Sequence, residues 1–375
     1  LWKQITRKFG PPVISTEYFG HQTEKTLLRL RDNILKGTDQ MVDISLNLLG
    51  QESWDLFIVV LGAPHRGGHY LWDLSQIDKT GLSAETKRVL EGALTEVYQA
   101  CDRAISRLIE NAPQGARVMV FAVHGMGQNP GWADRCPEII TRIKQVEEGA
   151  SPKTGLLYKI RESLPWDLIS TVTTRLPRNI LDRLVSLWSA RMFDWASTRH
   201  FPLPMDYAGY LRINVKGREL QGIVDPGSEY NALVEKLAGA FLGFTDIESG
   251  KPIVERVFRM EDLSPPDAPY RNLLPDLVIT WSDVTAVQSH GIRSKKYGEI
   301  RWDNNGLLPS GRSGNHRDSG WFVAVGDGIQ PGTSEEGCRV IDLVPTVFTW
   351  LGVEPAGDFQ GKPIPAISGA PPDNP

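Results

Sequence analysis

The amino-acid sequence predicts an α/β fold with a mainly parallel central sheet and helices on both faces. Three observations predict it. Short runs dense in Val, Ile, Leu and Phe recur along the chain, each of a length suited to a strand buried on both faces. Longer stretches with apolar residues at helical spacing separate them, so strand and helix alternate. From 150 to 205 the alternation gives way to a Trp-rich, proline-interrupted helical pattern including "LPWDLISTVTTRLPRNILDRLVSLWSA", which reads as a helical insertion between strands.

The elements follow in order. Residues 23–49 carry Leu and Ile at helical spacing, and 54–61, "WDLFIVVL", read as a near-continuous apolar strand. A loop with paired glycines at 67 and 68 comes next. Residues 84–112 form a long amphipathic pattern opened by Ser83 and followed by Pro113 and Gly115. The strand "RVMVFAV" runs into His124 and a tight turn at "HGMG", and a helix is expected near 133–147. Beyond the insertion, strands at 210–215 and 276–281 flank a helical pattern at 227–242. A last strand at 320–326 precedes a helix that starts near Asp342, an N-cap residue type, with Pro345 in its first turn.

The chain of 375 residues is read as one domain over 1–375, with 150–205 inserted in it. Its 41% hydrophobic and 23% charged residues are those of an ordinary globular protein. A net charge of −4 with interleaved signs leaves no basic stripe, which excludes nucleic acid as a main partner. Three widely spaced cysteines, Cys101, Cys136 and Cys338, form no CxxC and favour a reducing, cytoplasmic setting. No apolar run approaches the roughly 18 residues of a membrane span. The opening "LWKQITRKFG" has neither a signal-like core nor an initiating Met, and it reads as a cut.

Histidines carry the chemistry. "GAPHRGGHYLW" supplies His65 and His69, "VHGMG" supplies His124, and the glycine-rich "SGNHRDSG" supplies His316 immediately before a predicted strand. Loops at the carboxyl edge of an open sheet are where ligands collect. Neutral imidazoles converging from separate loops suit a borderline cation such as Zn²⁺, each giving one lone pair at about 2.0–2.1 Å. The expectation is that the 65–69 loop folds back at its glycines so that His65, His69 and His316 meet at one point, leaving an open position, with His124 a few ångströms along the edge. His200 and His290 read as structural. No G-x-S-x-G elbow accompanies HGMG, no GK[ST] follows the paired glycines, and no GxGxxG opens a helix after a strand, so hydrolase-elbow, NTPase and dinucleotide readings fall away.

The blocks "WDLFIVVLGAPHRGGHYLW", "VFAVHGMGQNPGW", "GYLRINVKGRELQGIVDPGSEY", "LPDLVITW" and "GNHRDSGWFVAVGDGI", the last followed by "RVIDLVPTVFTWLGVEP", resemble in that order the downstream blocks of the alkaline phosphatase superfamily. The nearest branch is the type I phosphodiesterase and nucleotide pyrophosphatase group. The resemblance implies two zinc ions, with manganese as an alternative, bridging a phosphoryl or sulfuryl group that a Thr or Ser attacks. It places His69 and His316 on one metal and His124 on the other. His65 stands where the family has Asp, and Val123 stands where it has the Asp of Asp-His-Gly. The family's first strand, with its Asp and nucleophile, is expected upstream of Leu1, so the domain is expected to lack its N-terminal part. Asn129 is the candidate to complete the second site or contact substrate; its other reading is a turn residue before Pro130. The implied function is metal-dependent hydrolysis of a small phosphate ester, either a phosphodiester or a nucleotide pyrophosphate. Sulfate-ester hydrolysis and non-catalytic metal binding on the same fold are the alternatives.

Overall fold

The computed structural model describes residues 1–13, 20, 22–149, 194–203, 207–302 and 306–368. Most of the insertion expected at 150–205 lies outside the described residues.

Three helices form the first core. After α1 (Trp2–Phe9), α2 (Glu24–Leu49) begins at a reciprocal cap: Thr23 Oγ1 accepts from the Thr26 amide, and Thr26 Oγ1 accepts from the Thr23 amide. Its buried Leu27, Leu30 and Ile34 pack on Leu90, Ala93 and Val97 of α4 (Ala84–Glu110). Between them lies α3 (Ala63–Tyr70), contributing Ala63 and Tyr70. Residues 63–70 were expected to be a loop; the four-residue spacing of His65 and His69 is instead one helical turn.

A second core gathers around a four-stranded sheet. Its strands are β3 (His200–Leu203), β4 (Gly209–Ile213), β6 (Val254–Arg259) and β7 (Leu277–Trp281), in the order β3-β4-β7-β6. Leu211 and Ile213 of β4 with Leu277 and Ile279 of β7 meet Ile139 and Ile143 of α5 (Trp132–Glu148) and Leu237 and Phe241 of α6 (Ser228–Leu242). Each such large apolar side chain, removed from water, contributes about 2–3 kcal/mol before the entropy cost of ordering it. Strand β3 occupies 200–203, so this end of the expected helical insertion belongs to the sheet.

Three further sheets complete the set among the described residues. Strand β1 (Val118–Ala122) pairs with β11 (Trp321–Val325), and β2 (Gly125–Gln128) pairs with β10 (Gly314–Arg317). The third joins β5 (Thr245–Asp246), β8 (Gly291–Ser294) and β9 (Gly298–Arg301). Every named ladder is antiparallel, which corrects the expectation of a mainly parallel central sheet: helices and strands are mixed, but the sheets are small and antiparallel. Alternation of element types does not fix which strands pair. Here short links such as 295–297 return the chain beside the strand it has just left.

The 54–61 segment corrects a second expectation. It forms no strand, and Ile58 and Val60 are 70% and 75% exposed. An apolar run becomes a strand only when a neighbour takes its backbone hydrogen bonds, and none lies beside it among the described residues. Asp342 is a third case. It precedes α7 (Leu343–Trp350), whose first turn holds Pro345, but its carboxylate accepts from the Arg339 and Lys362 amides rather than capping that helix.

Candidate metal centre

Helix α3 lies against the β2–β10 ribbon, and the glycines of both explain how closely. A Cβ on Gly314 would stand 2.0 Å from the Gly68 carbonyl oxygen, and one on Gly68 would stand 2.8 Å from Cε of Met126. Helix and strand therefore meet backbone to backbone. His65 and His69 leave the same side of α3 one turn apart. His316 lies on β10 opposite Met126 of β2, in a strand rather than the expected loop. His124 sits in the two-residue link between β1 and β2, so "GMG" continues as strand rather than closing a turn.

These elements bring four imidazoles together. One ligand nitrogen from each of His65, His69 and His316 falls within 4.8 Å of the others. Ring centres are 4.8 Å apart for His65 and His69, 5.0 Å for His65 and His316, and 4.9 Å for His69 and His316. His124 stands outside the trio, its ring centre 4.2 Å from that of His316 and 5.4 Å from that of His65.

The protonation of the cluster follows from its surroundings. His69 is buried, and burial first, then the charge of Arg312, takes its pKa down to about 3 against the pull of its backbone hydrogen bond. His316 falls to about 4 through burial, then through His124, His65 and Arg312. Both rings are neutral at pH 7. The Gly314 carbonyl, 3.1 Å from His69 Nδ1, can only accept, so the proton sits on Nδ1 and the Nε2 lone pair is left for a ligand. The Gly125 carbonyl fixes His124 in the same way, also at 3.1 Å. Nε2 of His316 is buried with no hydrogen-bond partner among the described residues. A buried lone pair without a donor is costly, and a cation would satisfy it. The donor set thus fits a borderline divalent ion.

Asn129 is placed otherwise. It is buried; its Nδ2 donates to the Arg312 carbonyl at 3.1 Å and its Oδ1 accepts from the Gly131 amide at 3.0 Å. Those bonds spend the side chain on the turn after β2, the other reading the sequence allowed. Val123 is 52% exposed and offers no donor atom. Asn214 ties three backbone carbonyls, those of Trp195, Thr198 and Gln221, and Arg218 grips Asp276 with two nitrogens at 2.7 Å.

Two neighbours of the cluster were not among the sequence candidates. Arg312 is buried with its guanidinium 5.7 Å from the Tyr70 ring centre, yet an arginine in "SGRSGNH" carries no mark of burial. Tyr207, whose ring centre is 6.2 Å from that of His316, donates its hydroxyl to Asp318. Only the adjacency of Asp318 to His316 in "HRD" hinted at this wall of the site.

No curated protein and no solved structure matches the chain. The family model described as "Type I phosphodiesterase / nucleotide pyrophosphatase" matches residues 9–298. That span contains His65, His69, His124 and Asn129 and ends before His316, which the fold returns to the same cluster. The chain belongs to the type I phosphodiesterase/nucleotide pyrophosphatase family, within the alkaline phosphatase superfamily.

Proposed function

We propose that the protein is a metal-dependent hydrolase of small phosphate esters, acting on phosphodiesters or nucleotide pyrophosphates. Family membership supports the reaction class. The observation that carries the metal dependence is the convergence of His65, His69 and His316, whose ligand nitrogens lie within 4.8 Å of one another. These three residues would hold a divalent cation, zinc first, and His124 would face it from the His316 side. When bound, the cation would polarise a phosphoryl oxygen and withdraw the charge that develops on it. Three neutral ligands leave a coordination position for substrate. His69 and Arg312 are buried beside the cluster, while Tyr207 and Asp318 border it beside His316.

The setting proposed is a reducing, cytoplasmic one, supported by three cysteines that are all unpaired. Among the described residues no helix is long and apolar enough to cross a membrane.

A non-catalytic metal-binding protein is the second reading, and the absence of a donor at Val123 favours it. One assay separates the two. Protein loaded with Zn²⁺ or Mn²⁺ is offered bis(p-nitrophenyl) phosphate, a nucleoside monophosphate p-nitrophenyl ester, p-nitrophenyl phosphate and p-nitrophenyl sulfate. Turnover of the diesters, abolished in His69→Ala, is expected. Sulfate as the preferred substrate would move the reading to sulfatase chemistry. Stoichiometric metal with no turnover of any ester would establish the binding protein.

A further inference from the structure

We propose that His65 sets the metal selectivity of the cluster, making it an all-imidazole site that takes nitrogen-preferring cations (Zn²⁺, Ni²⁺, Cu²⁺) and discriminates strongly against Mn²⁺ and Mg²⁺. The proposal rests on the metal-centre reading above and adds to it which ion the residues select and why.

The composition of the donor set carries it. Among the described residues, the group of His, Cys, Asp or Glu side chains close enough to share an ion is His65, His69 and His316, with no carboxylate in it. The next side chain outward is a fourth imidazole, His124, and its chain neighbour on the open side is Val123. The carboxylate of Asp318 is engaged by the Tyr207 hydroxyl. Mg²⁺ and Mn²⁺ draw most of their binding energy from hard, anionic oxygen donors, whereas imidazole suits Zn²⁺, Ni²⁺ and Cu²⁺. A site of three neutral nitrogens gives a hard cation poor donors and no charge compensation.

His65 is the residue on which this turns. His69 is locked by the Gly314 carbonyl and buried, and His316 is fixed in the β2–β10 ladder, so both are committed by packing. His65 sits one helical turn before His69 and is only half-buried, so its identity can change without disturbing the α3 core contacts made by Ala63 and Tyr70. A shorter carboxylate there would add one negative charge and one hard oxygen to the same cluster.

Calorimetric titration of the metal-free protein with Zn²⁺, Ni²⁺ or Mn²⁺ tests the proposal. In His65→Asp the ratio of the Mn²⁺ to the Zn²⁺ dissociation constant should fall by about tenfold or more relative to wild type. His290→Ala, which loses a surface pairing with Glu248, should leave both constants unchanged. An equal ratio in wild type and His65→Asp would overturn the proposal. The wild type gives a second readout that needs no substitution: pulsed EPR of the Cu²⁺ form should count at least three coordinated imidazoles, and two or fewer would overturn it as well. Wild-type protein that binds no divalent cation would instead refute the metal-centre reading beneath it.

Discussion

Replacing Gly314 with Ala tests whether the site depends on the backbone contact between α3 and β10. The new Cβ would lie 2.0 Å from the Gly68 carbonyl oxygen and 3.0 Å from Trp72 Cβ. A carbon and an oxygen need at least about 3 Å, and the obstacle is backbone, which no rotamer change can move aside. Helix and strand must therefore separate by about 1 Å. Overpacking of this kind costs about 1–3 kcal/mol, and a backbone clash belongs at the upper end. The same shift lengthens the His69 to Gly314 hydrogen bond, 3.1 Å in the native fold, and carries His316 away from His65 and His69. Metal ligands tolerate about 0.2 Å, so zinc affinity should fall by at least about tenfold even where the variant is fully folded. Urea unfolding and zinc titration of the same preparations measure both effects. Gly92→Ala is the control: it lies mid-helix in α4 with nothing within 4 Å of its Cβ, and it should gain about 0.5–1 kcal/mol without altering zinc binding. Gly314→Ala with wild-type zinc affinity and a stability loss under about 0.5 kcal/mol would refute the reasoning.

The remaining predictions concern the sheet core. His200 is buried, and burial first, then the charges of Lys144 and Arg199, lowers its pKa from 6.5 to about 4. The unfolded chain takes up a proton below about pH 6.5 that the folded one refuses, so this stability is complete above 6.5 and is lost as pH falls toward 4, about 3 kcal/mol in all. The difference between wild-type and His200→Leu unfolding energies, measured from pH 7.5 to 4.5, should show that slope, and parallel profiles would count against it. Asp276 is buried and accepts from Arg218, from the Ile213 amide and from the Tyr230 hydroxyl at 2.8 Å, so Asp276→Ala leaves Arg218 with the Glu219 carboxylate and the Ile213 amide without its acceptor, and it should cost about 3 kcal/mol in urea unfolding. A loss below about 1 kcal/mol would mean that water replaces the carboxylate there.

Local periodicity made the long helices legible. The patterns at 23–49, 84–112, 133–147 and 227–242 appear as α2, α4, α5 and α6 because each buries one stripe whose spacing is written in consecutive residues. Helix α3 was not legible in this way: Pro64, Gly67 and Gly68 all read as turn formers, and their use becomes clear only once Met126 and Gly314 arrive from elsewhere in the chain. Pairing direction had no local signal either. "VMVFA" and "WFVAV" announce strands, but nothing in them says that Val118 will face Val325 across an antiparallel ladder. The four histidines stood out because each lay within two residues of a glycine and near an apolar run. Arg312 and Tyr207 did not, since their placement beside the cluster depends on contacts that no spacing encodes.

The hydrogen bond between His69 and Gly314 closes a loop of 245 residues. The helical core of α2, α3 and α4 rests on contacts within the first third of the chain, so it can form while most of the polypeptide is still unplaced. Closing so long a loop costs entropy that grows only with the logarithm of its length, but the price falls due before β10 has docked. On the proposed reading, a cation that meets the nascent chain finds only the two imidazoles of α3. The third is delivered when the strand bearing His316 settles against Gly68. The ion is therefore recruited by the finished fold rather than acting as its template, and loading reports that the two ends of the architecture have joined.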